Sequence, residues 1–381
     1  MNTPPFLEML TRLIGAASIS SVNPDWDMGN APVIELLDEW LRGLGFSTEI
    51  QEIPGYPGKL NLIASAGRGS EGLVLSGHTD TVPCDPQMWN QDPFVLTERD
   101  QRYYGLGTAD MKGFFAVVIE AIRELPLDRL KQPLVIIATA DEESSMCGAK
   151  HLLDLHRQLG RHAVIGEPTS LKPIRMHKGI SMEAVQLIGQ AGHSSNPALG
   201  VNALDGMVQV LGEIIRWRED LQRRYHNPAF EIDVPTLNLG HIHGGDNPNR
   251  ICGQCEVQFD LRPLPGMNLE SLRGELHERL ANTLSGSRLK WESFPVFEGI
   301  PAMETARDAA IVQALEKLTD TPAGAVAFGT EGPYFNSLSI QTVVCGPGHI
   351  DQAHQPDEYL PMSHIQPAIN LIKSLVKQFC L

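Results

Sequence analysis

The chain has 381 residues, of which 42% are hydrophobic and 20% charged, so its composition is that of a globular protein and its length favours two domains. The formal net charge of −16 argues against nucleic-acid or anionic-membrane partners, because both require a basic protein surface. The sequence contains no run of about 18 apolar residues, which argues against a transmembrane helix.

The first part of the chain alternates segments of helical and strand-like spacing. Apolar residues recur with helical spacing in segments 6–14, 31–44 and 114–125. Short runs of apolar and β-branched residues predict strands at 47–53, 61–65, 73–76, 134–138 and 163–165. This alternation predicts an α/β fold with a mixed, largely parallel sheet flanked by helices.

From about residue 179 the pattern changes to antiparallel-looking strands with two helices. The predicted strands are 181–188, 236–241, 252–261 and 289–293, and the predicted helices are 203–217 and 269–284. Alternation then resumes with helices at 308–318 and 365–379 and strands at 323–328 and 341–344. We therefore expect a discontinuous α/β domain of residues 1–178 and 294–381, interrupted by a smaller α+β domain of residues 179–293.

The amino terminus and the cysteines indicate the cellular compartment. Residues 1–5 provide neither the basic region nor the apolar segment of a signal peptide. The six cysteines are scattered, and without secretion signals they are most simply reduced thiols. Cys252 and Cys255 form a lone CxxC pair, which we interpret as ordinary strand cysteines. We therefore expect a cytoplasmic protein.

Titratable side chains follow several of the predicted strands. His78 and Asp80 end the segment LVLSGHTD, Asp110 lies in the loop GLGTAD before a helix, and Glu167 follows an apolar strand. Because residues i and i+2 of a strand face the same side, we expect Asp80 to approach one nitrogen of His78 and leave the other for a metal ion. Taken singly, a hydrogen bond between His78 and Asp80 or an N-cap role for Asp110 is an equally simple explanation.

The combination of these residues carries more information. His78, Asp110, Glu143, Glu167 and His354 all follow predicted strands of one α/β domain, and functional residues of such sheets gather beyond the carboxyl ends of the strands. Two histidines and three carboxylates without a thiolate suit two divalent metal ions, one carboxylate bridging them, in a catalytic centre.

Other histidines fit this set less well. His151, His156 and His277 lie in helical stretches, where we expect surface positions. His241 and His243 share one face of a strand end, and ordinary packing is the simpler explanation for both. His349 shares the loop of His354.

Three consecutive carboxylates, Asp141, Glu142 and Glu143, follow the predicted strand 134–138. Like charges at this spacing repel and raise one another's pKa values, so the three residues are expected to have different partners. We expect Asp141 to cap a helix or brace the loop.

Six motifs in this order resemble one family of enzymes: SGHTDTVP, GLGTADMKGFFA, TADEESSMCG, GEPT, GQAGHSS and AHQPDEY. The resemblance is to the co-catalytic dizinc deacylases, which include aminoacylases, desuccinylases and glutamate-releasing carboxypeptidases, and it covers nearly the whole chain. It implies two Zn²⁺ ions per subunit, for which Co²⁺ or Mn²⁺ could substitute. By this resemblance His78 and Glu167 bind one ion, Glu143 and His354 bind the other, and Asp110 bridges them.

The family pattern also implies roles beyond the metal ligands. Glu142 matches the general base, Asp80 orients His78, and His193 of the inserted dimerisation and lid domain reaches the partner subunit's active site to polarise the substrate carbonyl. Four further positions match substrate-contacting positions of the family: Asn249, Arg262, Thr330 and Glu331. The Thr330–Glu331 pair departs from the small-residue loop of several relatives, and an ion pair of Arg262 with Asp260 or Glu256 is a competing explanation.

The resemblance implies hydrolysis of N2-acetyl-L-ornithine to L-ornithine and acetate in arginine biosynthesis, by a homodimer that we expect in the cytoplasm. Related substrates of the same chemistry are the alternative: a succinylated diaminopimelate, acetylcitrulline or general N-acyl amino acids. A non-catalytic binding protein on the same fold is disfavoured because all five ligands, Glu142 and His193 are present. A purely structural metal protein is disfavoured because the ligand set contains no cysteine.

Overall fold

The structure is a computed structural model that describes residues 3–155 and 157–381. His156, for which we expected a helical surface position, lies outside the described residues. The chain divides into two compact units. The first contains the described residues up to Arg175, Thr305–Gly324 and Thr330–Leu381, and the second contains Met176–Glu304 and Ala325–Gly329. The segment expected as an inserted domain, residues 179–293, lies within the second unit.

The α-helices of the described residues include four that flank the sheet of the first unit and two long ones in the second. They are α1 (Phe6–Gly15), α2 (Ala31–Gly43), α3 (Lys112–Ile122), α4 (Cys147–Leu152), α5 (Ala203–Arg224), α6 (Leu269–Thr283), α7 (Ala310–Thr319), α8 (Gly332–Ser337) and α9 (Met362–Phe379). Across the described ranges, none of them combines the length and the apolar character needed to cross a membrane.

The strands range from two to nine residues. They are β1 (Ser47–Glu52), β2 (Leu60–Ala66), β3 (Leu73–His78), β4 (Thr97–Arg99), β5 (Arg102–Tyr104), β6 (Leu134–Thr139), β7 (His162–Pro168), β8 (Ile174–His177), β9 (Ser181–Ile188), β10 (Thr236–Gly244), β11 (Gln254–Arg262), β12 (Lys290–Pro295), β13 (Met303–Glu304), β14 (Gly324–Val326), β15 (Gln341–Gly346) and β16 (Tyr359–Pro361).

In the first unit, six strands of the larger sheet lie in the order β1-β2-β6-β3-β7-β15. The four strands β6, β3, β7 and β15 are mutually parallel, whereas β1 and β2 add an antiparallel edge. This arrangement confirms the expected α/β fold with a largely parallel central sheet. Because the carboxyl ends of the four parallel strands meet at one edge, the side chains that follow them are brought together there.

The core of the first unit follows from the strand alternation and the helix periodicity. Leu73 and Leu75 of β3 and Leu134 and Ile136 of β6 point to one face, where they pack in a fully buried cluster with α1, α2, α3 and α9. Helix α3 is buried along its whole length except at Glu120, which explains why its sequence is a nearly continuous apolar run. The loop preceding α3 is therefore attached to a rigid element.

The second unit is an antiparallel sheet of order β10-β11-β9-β12 packed against α5 and α6. Buried residues of α5 recur every three or four positions, from Ala203 to Leu221, and form one apolar stripe. Asn202 and Asn268 cap the two helices, since their side chains accept hydrogen bonds from the N–H groups of Leu204 and Ser271. Strand β10 remains at the edge of this sheet.

The loop that follows β6 is anchored by a buried ion pair. Lys59 donates from Nζ to Asp141 Oδ1 at 2.7 Å, to Asp27 Oδ1 at 2.7 Å and to the carbonyl of Met28 at 2.9 Å. Asp141 has a positive φ of 61° and also accepts a hydrogen bond from Ser20 Oγ at 2.7 Å. Burial disfavours its charge, but these hydrogen bonds outweigh burial and lower its pKa. Asp141 thus braces the loop.

We predict that Lys59→Met lowers the free energy of unfolding by about 3–5 kcal/mol, because it leaves the buried Asp141 carboxylate without its cation. Urea unfolding followed by circular dichroism measures this change. The matched control is Lys373→Met, which removes an exposed ion pair with Glu124 and should leave the unfolding curve nearly unchanged. Equal shifts for both variants would contradict a special role of the buried pair.

Candidate metal centre

Five side chains meet at the carboxyl edge of the parallel strands. His78 is the last residue of β3, Glu143 follows β6, and Glu167 lies near the end of β7. Asp110 comes from the loop between β5 and α3, and His354 comes from the loop after β15. All five residues belong to the first unit.

The distances divide these residues into two groups that share Asp110. His78 Nε2 lies 3.0 Å from Asp110 Oδ1 and 3.7 Å from Glu167 Oε1. His354 Nε2 lies 3.1 Å from Glu143 Oε1 and 3.5 Å from Asp110 Oδ2. Within each group the candidate ligand atoms all lie within 4.8 Å of one another. One carboxylate oxygen of Asp110 thus faces each histidine, as a bridging ligand requires.

A third combination, His78 with Glu142 and Glu143, also meets this distance criterion. Glu142 is partly buried and is absent from both groups that contain Asp110. Metal content and turnover of a Glu142 variant therefore distinguish a role as base from a role as ligand.

The two histidines neutralise part of the acidic cluster. Burial opposes a charge on His78, but the carboxylates of Glu167 and Asp110 outweigh it and raise its pKa well above the ordinary value. Hydrogen bonds with Asp110 and Glu143 raise the pKa of His354 to about 10. Burial opposes ionisation of Asp110, yet hydrogen bonds from both histidines lower its pKa far below the ordinary range. The cluster requires positive charge.

The positive charge of the two histidines is not enough to neutralise the remaining carboxylates of the cluster. Burial raises the pKa of Glu142 well above the ordinary value, and the neighbouring Glu167, Glu143 and Glu331 raise it further against the attraction of His78. Burial likewise raises the pKa values of Glu167 and Glu143, with Asp110 adding to the effect. Divalent cations would replace protons on the imidazoles and free their nitrogens as ligands. This chemistry fits a nitrogen and oxygen donor set for metal ions.

Asp80 lies beside Nδ1 of His78, and its shorter contact with the ring is made by its backbone carbonyl. Strand β3 ends at His78, so the alternation of a strand does not extend to Asp80. His78 Nδ1 lies 3.0 Å from the backbone carbonyl of Asp80 and 3.7 Å from its carboxylate. The carboxylate instead accepts hydrogen bonds from the N–H groups of Glu142 at 3.2 Å and Glu143 at 3.1 Å. Asp80 therefore fixes His78 through its backbone and the glutamate pair through its side chain.

Thr330 and Glu331 precede α8 and are both fully buried. Thr330 Oγ1 accepts a hydrogen bond from the N–H of Gly332 at 3.0 Å. The two carboxylate oxygens of Glu331 accept no hydrogen bond from the residues that the structure describes. The hydroxyl of the nearby Thr139 donates to the carbonyl of Gly77. Burial raises the pKa of Glu331 to about 7, and the Asp80 charge adds to this shift while His78 opposes it.

Three predicted site residues, His193, Asn249 and Arg262, belong to the second unit. His193 is exposed and accepts a hydrogen bond at Nδ1 from the N–H of Ser195 at 3.2 Å, so its neutral ring carries the proton on Nε2. Asn249 is also exposed. Arg262 Nε donates to Asp260 Oδ2 at 2.8 Å, which is the ion pair considered as the competing explanation. The first unit alone therefore does not contain every predicted site residue.

Sequence reasoning missed Glu358, although it lies in the motif that contains His354. Its buried carboxylate accepts hydrogen bonds from the loop that carries Asp110. Burial, with the nearby Asp110 charge adding, raises the pKa of Glu358 to about 8, and these hydrogen bonds oppose the shift. The only sequence signal is its position four residues after His354.

Comparison with known proteins places this chain in a family. The model of the peptidase family M20/M25/M40 matches residues 74–378. The acetylornithine deacetylase of Salmonella paratyphi B is 48% identical over 377 residues, which cover 99% of this chain and 98% of that protein.

Solved structures with low sequence identity share the fold. The aminopeptidase PepT of Bacillus cereus has a TM-score of 0.77 at 18% identity, covering 100% of this chain and 99% of that chain. A dinuclear metal-binding peptidase of the M20 family from Bacillus subtilis has a TM-score of 0.69 at 14% identity, covering 98% and 97%. The expected family relationship is thus confirmed. This chain belongs to the peptidase family M20/M25/M40 and is a hydrolase that acts on amide bonds.

Proposed function

We propose that this enzyme hydrolyses N2-acetyl-L-ornithine to L-ornithine and acetate, as a cytoplasmic step of arginine biosynthesis. The observation that carries the proposal is the 48% identity to an acetylornithine deacetylase along 99% of the chain. The arrangement of two ligand groups around Asp110, with Glu142 beside them, supplies matching chemistry.

We propose a centre of two divalent metal ions, with Zn²⁺ the expected occupant and Co²⁺ or Mn²⁺ as substitutes. His78, Asp110 and Glu167 would hold one ion, and Asp110, Glu143 and His354 would hold the other. The bound ions would polarise the amide carbonyl and lower the pKa of water. The M20 peptidase from Bacillus subtilis, which binds a dinuclear metal centre, supports the count of two.

Glu142 is proposed as the group that moves the proton. Its backbone N–H donates to the Asp80 carboxylate at 3.2 Å, and the same carboxylate accepts the N–H of the neighbouring ligand Glu143. Burial raises its pKa well above the ordinary value, so the carboxylate is basic enough to take a proton from water and to release it again. In the reaction a C–O bond forms from water, the C–N bond breaks, and Glu142 returns the proton to the departing amine.

His193 is proposed as the donor to the carbonyl oxygen, acting from the partner subunit. Its exposed position leaves the ring accessible, and the Ser195 N–H at Nδ1 keeps the proton of the neutral ring on Nε2. Such a donor stabilises negative charge on the oxygen by a few kcal/mol in an acyl-transfer reaction. Substrate contacts by Asn249, Arg262, Thr330 and Glu331 are part of the same proposal.

The homodimer is proposed from a surface of the second unit. Edge strand β10 offers unpaired backbone groups, and an antiparallel pairing with its own copy would satisfy them. The exposed apolar side chains of this unit include Leu204 at 41%, Val208 at 70% and Ile242 at 52%. A second copy is the proposed occupant because the active site needs the partner's His193.

The substrate assignment predicts that kcat/KM for N2-acetyl-L-ornithine exceeds that for N2-acetylcitrulline and N-succinyl-diaminopimelate by about tenfold or more. Release of the free amine measures each rate. Chelation of metal should abolish activity, and added Zn²⁺, Co²⁺ or Mn²⁺ should restore it. A preference for the succinylated substrate would overturn the assignment while leaving the metal chemistry intact.

The proposed roles of Glu142 and Glu143 predict that replacing them has different effects on metal content and turnover. Glu142→Gln should retain two metal ions per chain and lower kcat by about 10²–10⁴-fold, because proton transfer is lost. Glu143→Gln, the matched control, should bind less metal because it removes a ligand. Elemental analysis after gel filtration, together with turnover, separates the two effects. Loss of metal from Glu142→Gln would instead make Glu142 a ligand in the group with His78 and Glu143.

The trans role of His193 predicts recovery of activity on mixing two inactive variants. A heterodimer of His193→Ala and Glu142→Gln chains contains one site with both an intact Glu142 and an intact partner His193, so it should have about half the activity of the wild-type dimer. Each variant alone serves as the control. Absence of recovery in a purified heterodimer would refute the trans arrangement.

A further inference from the structure

Among the residues that the structure describes, a single loop donates hydrogen bonds to the buried carboxylate of Glu358. Gly107 donates its N–H to Oε2 at 3.0 Å, and Ala109 and Asp110 donate theirs to Oε1 at 2.7 and 3.0 Å. The backbone carbonyl of Glu358 accepts a fourth N–H, from Gly105, at 3.0 Å. One side chain and its own backbone thus receive four donors from residues 105–110.

The loop of residues 105–110 has little structure of its own. It lies between β5 and α3, and Gly105 and Gly107 have φ values of 151° and 85°, which side chains rarely adopt. Four of its six N–H groups donate to Glu358, which provides the partners that buried donors require, and those of Leu106 and Thr108 donate to the carbonyls of Pro93 and Gly105. The loop conformation therefore depends on the side chain of a distant segment.

The same segment carries His354. Glu358 lies four residues after His354, and Tyr359 pairs with Tyr104 between β16 and β5. Glu358 therefore connects the loop that carries Asp110 to the loop that carries His354. The two side chains approach each other closely, with His354 Nε2 3.5 Å from Asp110 Oδ2. The far end of the Asp110 loop is fixed separately, since Lys112 Nζ donates to the carbonyl of Ala16 at 3.0 Å.

We infer that Glu358 is a positioning residue of the metal centre, which sets the place of the bridging Asp110 relative to His354. Because Asp110 belongs to both ligand groups, a shift of its backbone disturbs both metal ions rather than one. Residues that orient metal ligands typically change metal affinity 10–100-fold when they are replaced. The inference rests on the metal centre of the proposed function and not on the identity of its substrate.

The test compares Glu358→Met, which removes both acceptor oxygens and with them three hydrogen bonds, with Glu358→Gln, which keeps one acceptor oxygen and places an amide N–H₂ group against a backbone donor. The matched control is Glu183→Met, which removes another buried glutamate, paired with Arg273 in the second unit. Zn²⁺ affinity is measured by competition with a chelator, and thermal unfolding is measured on the metal-free proteins.

We expect Glu358→Met to weaken the binding of both Zn²⁺ ions by about 10–100-fold and Glu358→Gln to weaken both by less. Glu183→Met should lower the unfolding temperature without changing Zn²⁺ affinity. If Glu358→Met does not fold, Glu358→Gln decides. Wild-type affinity in the folded Glu358 variant, weakening of one ion only, or equal weakening in Glu183→Met would overturn the inference. Failure of the wild-type protein to bind Zn²⁺ would contradict the proposed function itself.

Discussion

The crowding of carboxylates at one edge of the sheet is the constraint on which the site depends. Asp110, Glu142, Glu143 and Glu167 lie close together in a partly or fully buried space, where like charges strongly raise the free energy of ionisation. His78 and His354 supply only part of the compensating charge. The cluster is therefore built to receive cations, and the same deficit of positive charge makes Glu142 basic.

Three carboxylates around the cluster are not proposed ligands, and they hold the neighbouring loops in place instead. Asp80 accepts the N–H groups of the glutamate pair, Glu358 accepts those of the Asp110 loop, and Asp141 binds Lys59 while the chain turns at its positive φ. Each of these acids is satisfied by donors other than a metal ion, so it does not compete for one. The consecutive residues Asp141, Glu142 and Glu143 thus differ because the turn directs them to different partners.

The sequence predicted the long elements and the chemistry-bearing motifs, because both depend on local patterns. Segments such as 97–99, 102–104 and 359–361 are too short to show a period, and they were missed for that reason. Contacts across the chain were missed as well. Lys59 is 82 residues from Asp141, and Glu358 is 248 residues from Asp110, so no spacing rule relates them. The Asp80 carboxylate lies near one nitrogen of His78, at 3.7 Å, but the sequence did not reveal that β3 ends at His78 and that the shorter contact runs through the Asp80 backbone carbonyl.

The two histidines of the centre differ in solvent exposure, so the centre has a buried side and an accessible side. The His78 side chain is 1% exposed and is held by the carbonyl of Asp80, whereas the His354 side chain is 55% exposed, on a loop residue with a φ of 60°. Solvent therefore reaches the first unit's cluster from the His354 side. The group of His78 and Glu167 is therefore the inner, more buried one, and the group of His354 and Glu143 is the outer one. Since Asp110 contacts both, the loop that Glu358 holds connects the buried half of the centre to its accessible half.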